Sequence, residues 1–240
     1  APHDPLMAWP EDIEKYLGKY MVGYETIRKQ RYERQKEMGI IDETYSLTEP
    51  TYENWDSLPQ AEKLVRDSIM ATYAAMIDRV DQNIGRLLDK LKELNELDNT
   101  LILFMSDNGA QPMTGRENWL LGKGKITDNS LPIGSMGRWT SVNLSWANVS
   151  NTPFRYYKDN SHEGGIATPF IAYWKEVIQN PGRIENYPCH LIDVMPTLLD
   201  ITGAEYPTQF DGERINPQDG ISLYPLLKGE SPERLEPIYW

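Results

Sequence analysis

The sequence has 240 residues with a formal net charge of −12, and 40% of its residues are hydrophobic. A chain of this length buries one sizeable core, and its acidity argues against a nucleic-acid partner because no basic stripe is available to neutralise phosphates. It has no apolar stretch of the roughly 20 residues that span a bilayer, and its single cysteine, Cys189, excludes an intrachain disulfide.

Helical patterns account for most of the first hundred residues. An apolar face and an opposing run of charges predict a helix over residues 10–38, and Gly, Pro, Ser and Thr predict a loop over residues 39–58. Over residues 61–94, apolar side chains recur every three or four positions. This spacing predicts a helix about 50 Å long, which is enough to cross a whole sheet.

An apolar run, residues 101–105, follows this helix and stops at Ser106-Asp107-Asn108-Gly109. The run predicts a buried strand over residues 101–106, and a helix followed by a strand predicts an α/β fold with a mostly parallel sheet flanked by helices. Ligands of such sheets gather beyond the carboxyl ends of strands, where Asp107 and Asn108 offer hard oxygen ligands for Ca²⁺ or Mg²⁺. Asp-Asn-Gly is also a good hairpin turn, so both interpretations are open at this point.

A long loop separates this strand from a second one. Residues 109–153 are rich in Gly, Ser, Asn and Pro and contain three tryptophans, Trp119, Trp139 and Trp146. These rings either form a platform for a sugar or aryl substrate or pack the loop onto the body of the protein. Glycosylation acceptor patterns begin at Asn143 and Asn148, and they matter only in a secreted eukaryotic protein.

The last third of the chain contains one strand pattern and one helix pattern. Residues 167–174 predict a strand with Pro169 near its start, where a missing N–H does least harm. Residues 191–201 predict a short helix that ends at Gly203. The Pro- and Gly-rich residues 204–237 predict a wandering connection.

Three further places could carry chemistry, and each has a simpler explanation. His3 is held between two prolines, but a histidine near a terminus is often incidental. Lys158 follows an aromatic run, and such a lysine often extends along the surface. His162 precedes a Gly164-Gly165 pair that fits a tight turn or a close approach of two backbone segments.

In their order and approximate spacing, these motifs resemble those of the formylglycine-dependent sulfatases. The resemblance is carried by Ala1-Pro2-His3-x-Pro5-Leu6, by Thr100-Leu101-Ile102 to Ser106-Asp107-Asn108-Gly109, by Asn151-Thr152-Pro153-Phe154-Arg155 with Lys158, by Glu163-Gly164-Gly165-Ile166 with Pro169, and by Ile192-Asp193-Val194-Met195-Pro196-Thr197-Leu198-Leu199 with Gly203. It implies an alkaline-phosphatase-like α/β fold in which residues 1–203 are the central and C-terminal part of a catalytic domain. Residues 204–240 would lead toward a C-terminal subdomain, so we expect the chain to be an internal fragment.

The resemblance also implies roles for individual residues. Asp107 and Asn108 match one pair of Ca²⁺ ligands, and Mg²⁺ would suit the same oxygens. His3 matches a histidine that contacts the sulfate ester and helps to protonate the leaving oxygen. Lys158 matches the lysine that neutralises the nonbridging oxygens of the sulfate. The substrate would be an aryl or carbohydrate sulfate, and the protein would be periplasmic, secreted or lysosomal.

Other parts of the family pattern are absent from the sequence. The nucleophile is a formylglycine made from Cys or Ser in the pattern C/S-x-P/A-x-R, and neither Cys189 nor the segment 151–155, which begins with Asn, fits that pattern. The early Asp-Asp pair that completes the metal site is also missing. We therefore expect the parent protein to be a sulfatase and this chain alone to be inactive.

Three alternatives stay open from the sequence. A phosphatase or phosphonate-ester hydrolase of the same superfold would use another nucleophile and other metals. A non-catalytic relative would keep the scaffold and bind sulfated glycans. In the simplest case, the chain is an α/β module whose His, Lys and Asp side chains lie on the surface.

Overall fold

A computed structural model of the chain describes residues 2–113 and 127–239. The chain forms two compact units, and each unit is built from two segments. Ala1–Lys90 and Asn108–Pro169 form the larger unit, whereas Leu91–Asp107 and Phe170–Trp240 form the smaller unit. The predicted division after residue 203 stays a prediction, and Trp119 lies outside the described residues.

The helices of the larger unit include one long helix that matches its prediction closely. In chain order the helices are α1 (Pro10–Glu14), α2 (Tyr24–Glu37), a 3₁₀ helix (Trp55–Ser57), α3 (Gln60–Glu93), α4 (Asn143–Ser150) and α5 (Glu163–Ile166). Helix α3, whose last residues extend into the smaller unit, begins and ends one residue earlier than predicted. None of the helices in the described ranges has both the length and the apolar character that a membrane crossing requires.

The single helix predicted over residues 10–38 is wrong, because turns separate α1 from α2. Gly18 and Gly23 have φ angles of +81° and +88°, which break helical geometry. The buried carboxylate of Asp67 on α3 accepts hydrogen bonds from the backbone N–H groups of Gly18 (2.8 Å) and Tyr20 (2.9 Å). A Cβ atom on Gly23 would lie 2.7 Å from the ring of Trp55, so the chain needs a glycine there. Tertiary contacts thus override the local helical pattern.

Helix α4 lies in the stretch that we expected to be a loop. Its Asn and Ser residues are weak helix formers, so local propensity does not predict it. Burial stabilises it instead, because Trp146 and Val149 are fully buried. The acceptor residues of both glycosylation patterns, Asn143 and Asn148, are 4% and 0% exposed, so neither is accessible in the folded chain.

An aromatic cluster forms the core of the larger unit. Its buried members are Leu6, Tyr24, Trp55, Ile69, Val142, Trp146 and Val149. The ring centres of Tyr24 and Trp146 lie 4.6 Å apart in an edge-on arrangement, which adds a favourable aromatic contact to the burial. Trp146 therefore packs the chain together, as one of the two interpretations of the tryptophans predicts. Burial of Leu6 fixes the segment that carries His3, and the Leu6 N–H donates to the Thr140 carbonyl at 2.9 Å.

The smaller unit contains the predicted strands, but they pair in an unexpected direction. Strand β1 (Ile102–Met105) pairs antiparallel with β2 (Phe170–Tyr173), whereas we expected mostly parallel pairing. A helix followed by a strand predicts alternation of elements but does not fix the direction in which a distant strand returns. The prediction that β1 is a buried strand is also wrong within this chain, because Phe104 on β1 and its partner Ile171 on β2 are 46% and 58% exposed.

In the rest of the smaller unit, the buried carboxylate of Asp193 joins several segments of the chain. A 3₁₀ helix (Leu191–Asp193) leads into α6 (Val194–Thr202), which ends at Gly203 with φ +67° as predicted. Asp193 is fully buried and forms an ion pair with Arg234 at 2.5 Å. Its other oxygen accepts the Ile221 N–H at 3.0 Å. The segment predicted to be a wandering connection, residues 204–237, includes β3 (Gln209–Phe210), β4 (Glu213–Arg214) and α7 (Tyr224–Leu227).

Candidate functional site

Backbone hydrogen bonds bring three of the sequence motifs together in the larger unit. The Gly109 N–H donates to the Gly165 carbonyl at 2.9 Å. The Ala110 N–H donates to the side-chain oxygen of Asn151 at 3.0 Å, and the Lys158 N–H donates to the Ala110 carbonyl at 3.1 Å. The residues that follow Asn108, the segment that carries Lys158 and the glycine pair therefore form one local structure.

Three glycines allow this close approach. A Cβ atom on Gly109 would lie 1.8 Å from the Gly164 carbonyl oxygen, and one on Gly165 would lie 1.9 Å from the Asn160 carbonyl oxygen. A Cβ atom on Gly164 would lie 2.3 Å from the Arg155 carbonyl oxygen. The close backbone approach predicted for the glycine pair is confirmed, and Gly109 belongs to the same contact.

We expect Gly109→Ala to destabilise the intact protein by about 1–3 kcal/mol, because the added methyl group meets backbone atoms that cannot rotate away. The matched control is Gly85→Ala on α3, where no atom lies within 4 Å of an added Cβ. Alanine is the better helix former, so the control should be as stable as the wild type or more stable. Urea unfolding measures both changes, and an unchanged midpoint for Gly109→Ala would show that the contact is not tight.

Asp107 and Asn108 supply the kind of oxygen atoms that a hard cation prefers. Asp107 is exposed and lies two residues beyond β1, at the end of the first segment of the smaller unit. Asn108 is half-buried, and its side-chain N–H donates to the Gly109 carbonyl at 2.9 Å, which orients the amide.

The side-chain oxygens of these two residues are of the type that Ca²⁺ and Mg²⁺ bind, but two residues supply too few of them. Ca²⁺ takes about 6–8 oxygen ligands and Mg²⁺ about six. In residues 2–113 and 127–239, no three His, Cys, Asp or Glu side chains are grouped so that they could hold a metal ion. Asp107 and Asn108 can therefore supply only part of such a site.

His3 and Lys158 both act on a buried carboxylate, that of Asp4. His3 is exposed and its Nδ1 lies 3.2 Å from the Asp4 carbonyl oxygen, whereas Lys158 is half-buried. Burial raises the pKa of the Asp4 carboxyl group, and the nearby Ser141 hydroxyl and the charges of His3 and Lys158 oppose that rise. Both Asp4 carboxylate oxygens are buried, and neither meets hydrogen-bond geometry with a partner in the described residues.

Asp4 is thus a titratable residue of the site that the sequence pattern does not single out. Its only signal is its place next to His3 in a segment held by two prolines. Among the described residues, Lys158 forms no ion pair within 4.0 Å, so its charge is not neutralised by a direct contact. His3 and Lys158 therefore both favour the charged form of the buried Asp4 carboxylate.

Comparison with known proteins identifies the family. The family model described as Sulfatase matches residues 1–204. The chain belongs to the sulfatase family. An arylsulfatase of Klebsiella aerogenes is 35% identical over 232 residues, which cover 93% of this chain and 49% of that protein. An uncharacterized sulfatase of Schizosaccharomyces pombe is 36% identical over 215 residues, which cover 86% of this chain and 38% of that protein.

Membership of the sulfatase family confirms the resemblance of the motifs and, with it, the α/β fold class. A protein solved in complex with its substrate D-glucosamine-2-N,6-O-disulfate aligns with a TM-score of 0.45 and 26% identity, over 73% of this chain and 26% of that chain. The chain spans about half the length, or less, of the curated relatives it matches.

The structure gives Cys189 and Asn151 roles unlike that of a sulfatase nucleophile. Cys189 is half-buried and donates weakly to the Tyr187 carbonyl at 3.4 Å, and burial raises the pKa of its thiol, which disfavours the reactive thiolate. The side chain of Asn151 accepts from Ala110 and donates to the Tyr156 carbonyl at 3.0 Å, so it joins two segments of the local structure. The exposed His162 packs edge-on against Tyr156 with ring centres 4.7 Å apart.

Proposed function

We propose that the intact protein hydrolyses sulfate monoesters, either aryl or carbohydrate sulfates. This chain would contribute His3 and Lys158 to the sulfate and Asp107 and Asn108 to a Ca²⁺ ion, or to Mg²⁺. The observation that supports the proposal best is the match of the Sulfatase family model to residues 1–204, which include all four of these residues. A lysine ammonium group suits a small tetrahedral anion.

Each residue of the chain has a separate task in this proposal. The Lys158 ammonium group binds the nonbridging oxygens and stabilises their charge as the S–O bond breaks. The His3 imidazole gives a proton to the ester oxygen that leaves, which is an ordinary task for an imidazole group. Asp107 and Asn108 would hold two coordination positions of the cation. When present, the cation supplies Lewis acidity and a formylglycine from outside this chain supplies the nucleophile.

The charge of the site favours a sulfate over a phosphate ester. A sulfate monoester carries one negative charge, and a single lysine with one metal ion would neutralise it. A phosphate monoester is a dianion near neutral pH and needs more positive charge. A non-catalytic protein that binds sulfated glycans would keep the same cations, so only turnover separates that possibility from hydrolysis.

The test compares 4-nitrophenyl sulfate and 4-nitrophenyl phosphate as substrates of the intact protein, with and without a chelator. We expect hydrolysis of the sulfate to exceed that of the phosphate at least about tenfold and to be lost on chelation, because the cation stabilises the developing charge. Added Ca²⁺ should restore it. Preference for the phosphate would contradict the proposal, and binding of sulfated glycans without any turnover would favour the non-catalytic protein.

A further inference from the structure

Lys158 lies in a loop, residues 156–160, whose backbone conformation is unfavourable by itself. Tyr156 and Asp159, which lie on either side of Lys158 in this lysine loop, have φ angles of +63° and +70°. Positive φ angles are uncommon outside glycine, and a bulky residue such as tyrosine adopts one only where the surrounding structure holds it there. The position of Lys158 therefore depends on contacts that come from outside the loop.

The side chain of Asn151 supplies these contacts. Its amide oxygen accepts the Ala110 N–H at 3.0 Å, and its amide nitrogen donates to the Tyr156 carbonyl at 3.0 Å. The Ala110 carbonyl in turn accepts the Lys158 N–H at 3.1 Å. Asn151 thus holds the lysine loop directly at Tyr156 and through Ala110 at Lys158. An asparagine suits this place because one short side chain carries both a donor and an acceptor.

Asn151 is itself fixed to the core of the larger unit. It directly follows α4, and its backbone N–H donates to the carbonyls of Ala147 and Asn148, each at 3.2 Å. Ala147, Asn148 and Val149 on this helix are all 0% exposed. A continuous series of contacts therefore runs from the buried helix α4 through Asn151 to the lysine loop.

We propose that Asn151 is a positioning residue for Lys158 in the sulfatase reaction. The inference rests on the proposed function, in which the Lys158 ammonium group binds the nonbridging oxygens of the sulfate. Because its amide is engaged by Ala110 and Tyr156, Asn151 acts through the loop and not on the sulfate itself. Without that amide, Tyr156 can relax to a negative φ angle. The main chain of Lys158 then moves, and its flexible side chain loses a defined starting position.

The test is steady-state kinetics of Asn151→Ala in the intact protein, with 4-nitrophenyl sulfate as substrate and inorganic sulfate as competitive inhibitor. We expect KM and the inhibition constant of sulfate each to rise about tenfold, because a small displacement of the ammonium group weakens its charge-assisted contact with the anion. A merely structural role gives a different result. Loss of folded protein lowers kcat but leaves KM and the inhibition constant unchanged.

A second variant covers the case in which Asn151→Ala is too unstable to purify. Asn151→Asp keeps the shape of the side chain and the acceptor for the Ala110 N–H, but its carboxylate cannot donate to the Tyr156 carbonyl. KM and the inhibition constant of sulfate should therefore rise in this variant as well.

The matched control is Asn148→Ala, three residues earlier on the same helix. The Asn148 side-chain oxygen accepts the Thr51 N–H at 3.1 Å, so this substitution also removes a hydrogen bond between a side chain and a distant backbone segment. Thr51 does not belong to the lysine loop. Asn148→Ala should lower the midpoint of thermal unfolding but change KM and the inhibition constant by less than about twofold.

A double variant shows whether Asn151 acts through Lys158. Once Lys158→Ala has removed the ammonium group, adding Asn151→Ala should lower kcat/KM by no more than a further factor of about two, because two residues that serve one interaction are not additive. If Asn151→Ala instead lowers kcat/KM by the same factor with and without Lys158, it acts by another route and the positioning role is wrong.

Failure of the positioning role and failure of the sulfatase function give different results. A wild type that hydrolyses 4-nitrophenyl sulfate, together with an Asn151→Ala variant that behaves like Asn148→Ala, would overturn the positioning role and keep the function. If the wild type binds inorganic sulfate in a calorimetric titration without hydrolysing the ester, and Asn151→Ala binds it about tenfold more weakly, the positioning role stands and the catalytic function is rejected. A wild type that neither hydrolyses the ester nor binds sulfate would overturn both.

Discussion

Replacement of Asp107 by alanine is expected to remove the bound cation from the intact protein and to lower kcat/KM for 4-nitrophenyl sulfate about 1,000-fold. That factor corresponds to about 4 kcal/mol of transition-state stabilisation, which is within the range for a metal ion that balances developing charge. Asp107 is exposed and forms no hydrogen bond or ion pair with the described residues, so its loss should not weaken the fold. Metal analysis of the purified variant and initial rates measure the two effects.

The matched control for this substitution is Asp98→Ala. Asp98 is also an exposed carboxylate of the smaller unit near β1, but it forms an ion pair with Lys175 at 2.5 Å. Exposed pairs contribute little to stability, so the control should keep its metal and its activity. If Asp107→Ala behaves like the control in both measurements, the Asp-Asn-Gly sequence is only a turn, and the metal-ligand interpretation is wrong.

Local sequence patterns predict the elements whose stability is mostly local. Helix α3 was predicted to within one residue at each end, because its apolar residues follow one face over its whole length. The end of α6 at Gly203 is also a local property, because the residue after a helix often adopts a positive φ angle that favours glycine. Strand β1 was also found, although only Ile102–Met105 of the apolar run pairs with β2.

Tertiary contacts decide the elements that the sequence does not predict. Asp67 holds the turn between α1 and α2 from a position about 50 residues away, as its hydrogen bonds to Gly18 and Tyr20 show. Helix α4 depends on burial of Trp146 among aromatic rings from several segments. The antiparallel direction of β2 depends on the path of the chain between β1 and β2. The pattern of residues within a strand does not indicate that path.

The candidate site shows the same division. His3, Lys158, Asp107 and Asn108 stand out only because several motifs occur in a family order, and their proposed roles stay predictions. Asp4 gains its significance from what surrounds it, since burial of its carboxylate is a property of the folded chain. The sequence alone does not distinguish it from an ordinary surface charge.

Lys158→Ala is expected to lower kcat/KM for 4-nitrophenyl sulfate in the intact protein by about 100- to 1,000-fold, which is the range found when a group that stabilises a developing oxyanion is removed. The main chain of Lys158 is fixed by its hydrogen bond to Ala110, so the ammonium group starts from a defined position. Its charge is not neutralised by an ion pair in the described part of the chain, which leaves it available to an anion. Initial rates measure the effect, and thermal unfolding shows whether the variant is folded.

One further variant separates the contribution of charge at position 158 from that of side-chain geometry, and a second serves as the control. Lys158→Arg keeps the positive charge on a larger, planar group, so it should recover only part of the activity. Lys175→Ala removes an exposed lysine, 64% exposed, that already pairs with Asp98, and it should change kcat/KM by less than about twofold. If Lys158→Ala retained activity within that same margin, Lys158 would be a surface lysine near Asp4, and the cation that binds the sulfate would have to be another residue. A loss that Lys158→Arg partly restores would instead indicate that charge at this position stabilises the transition state.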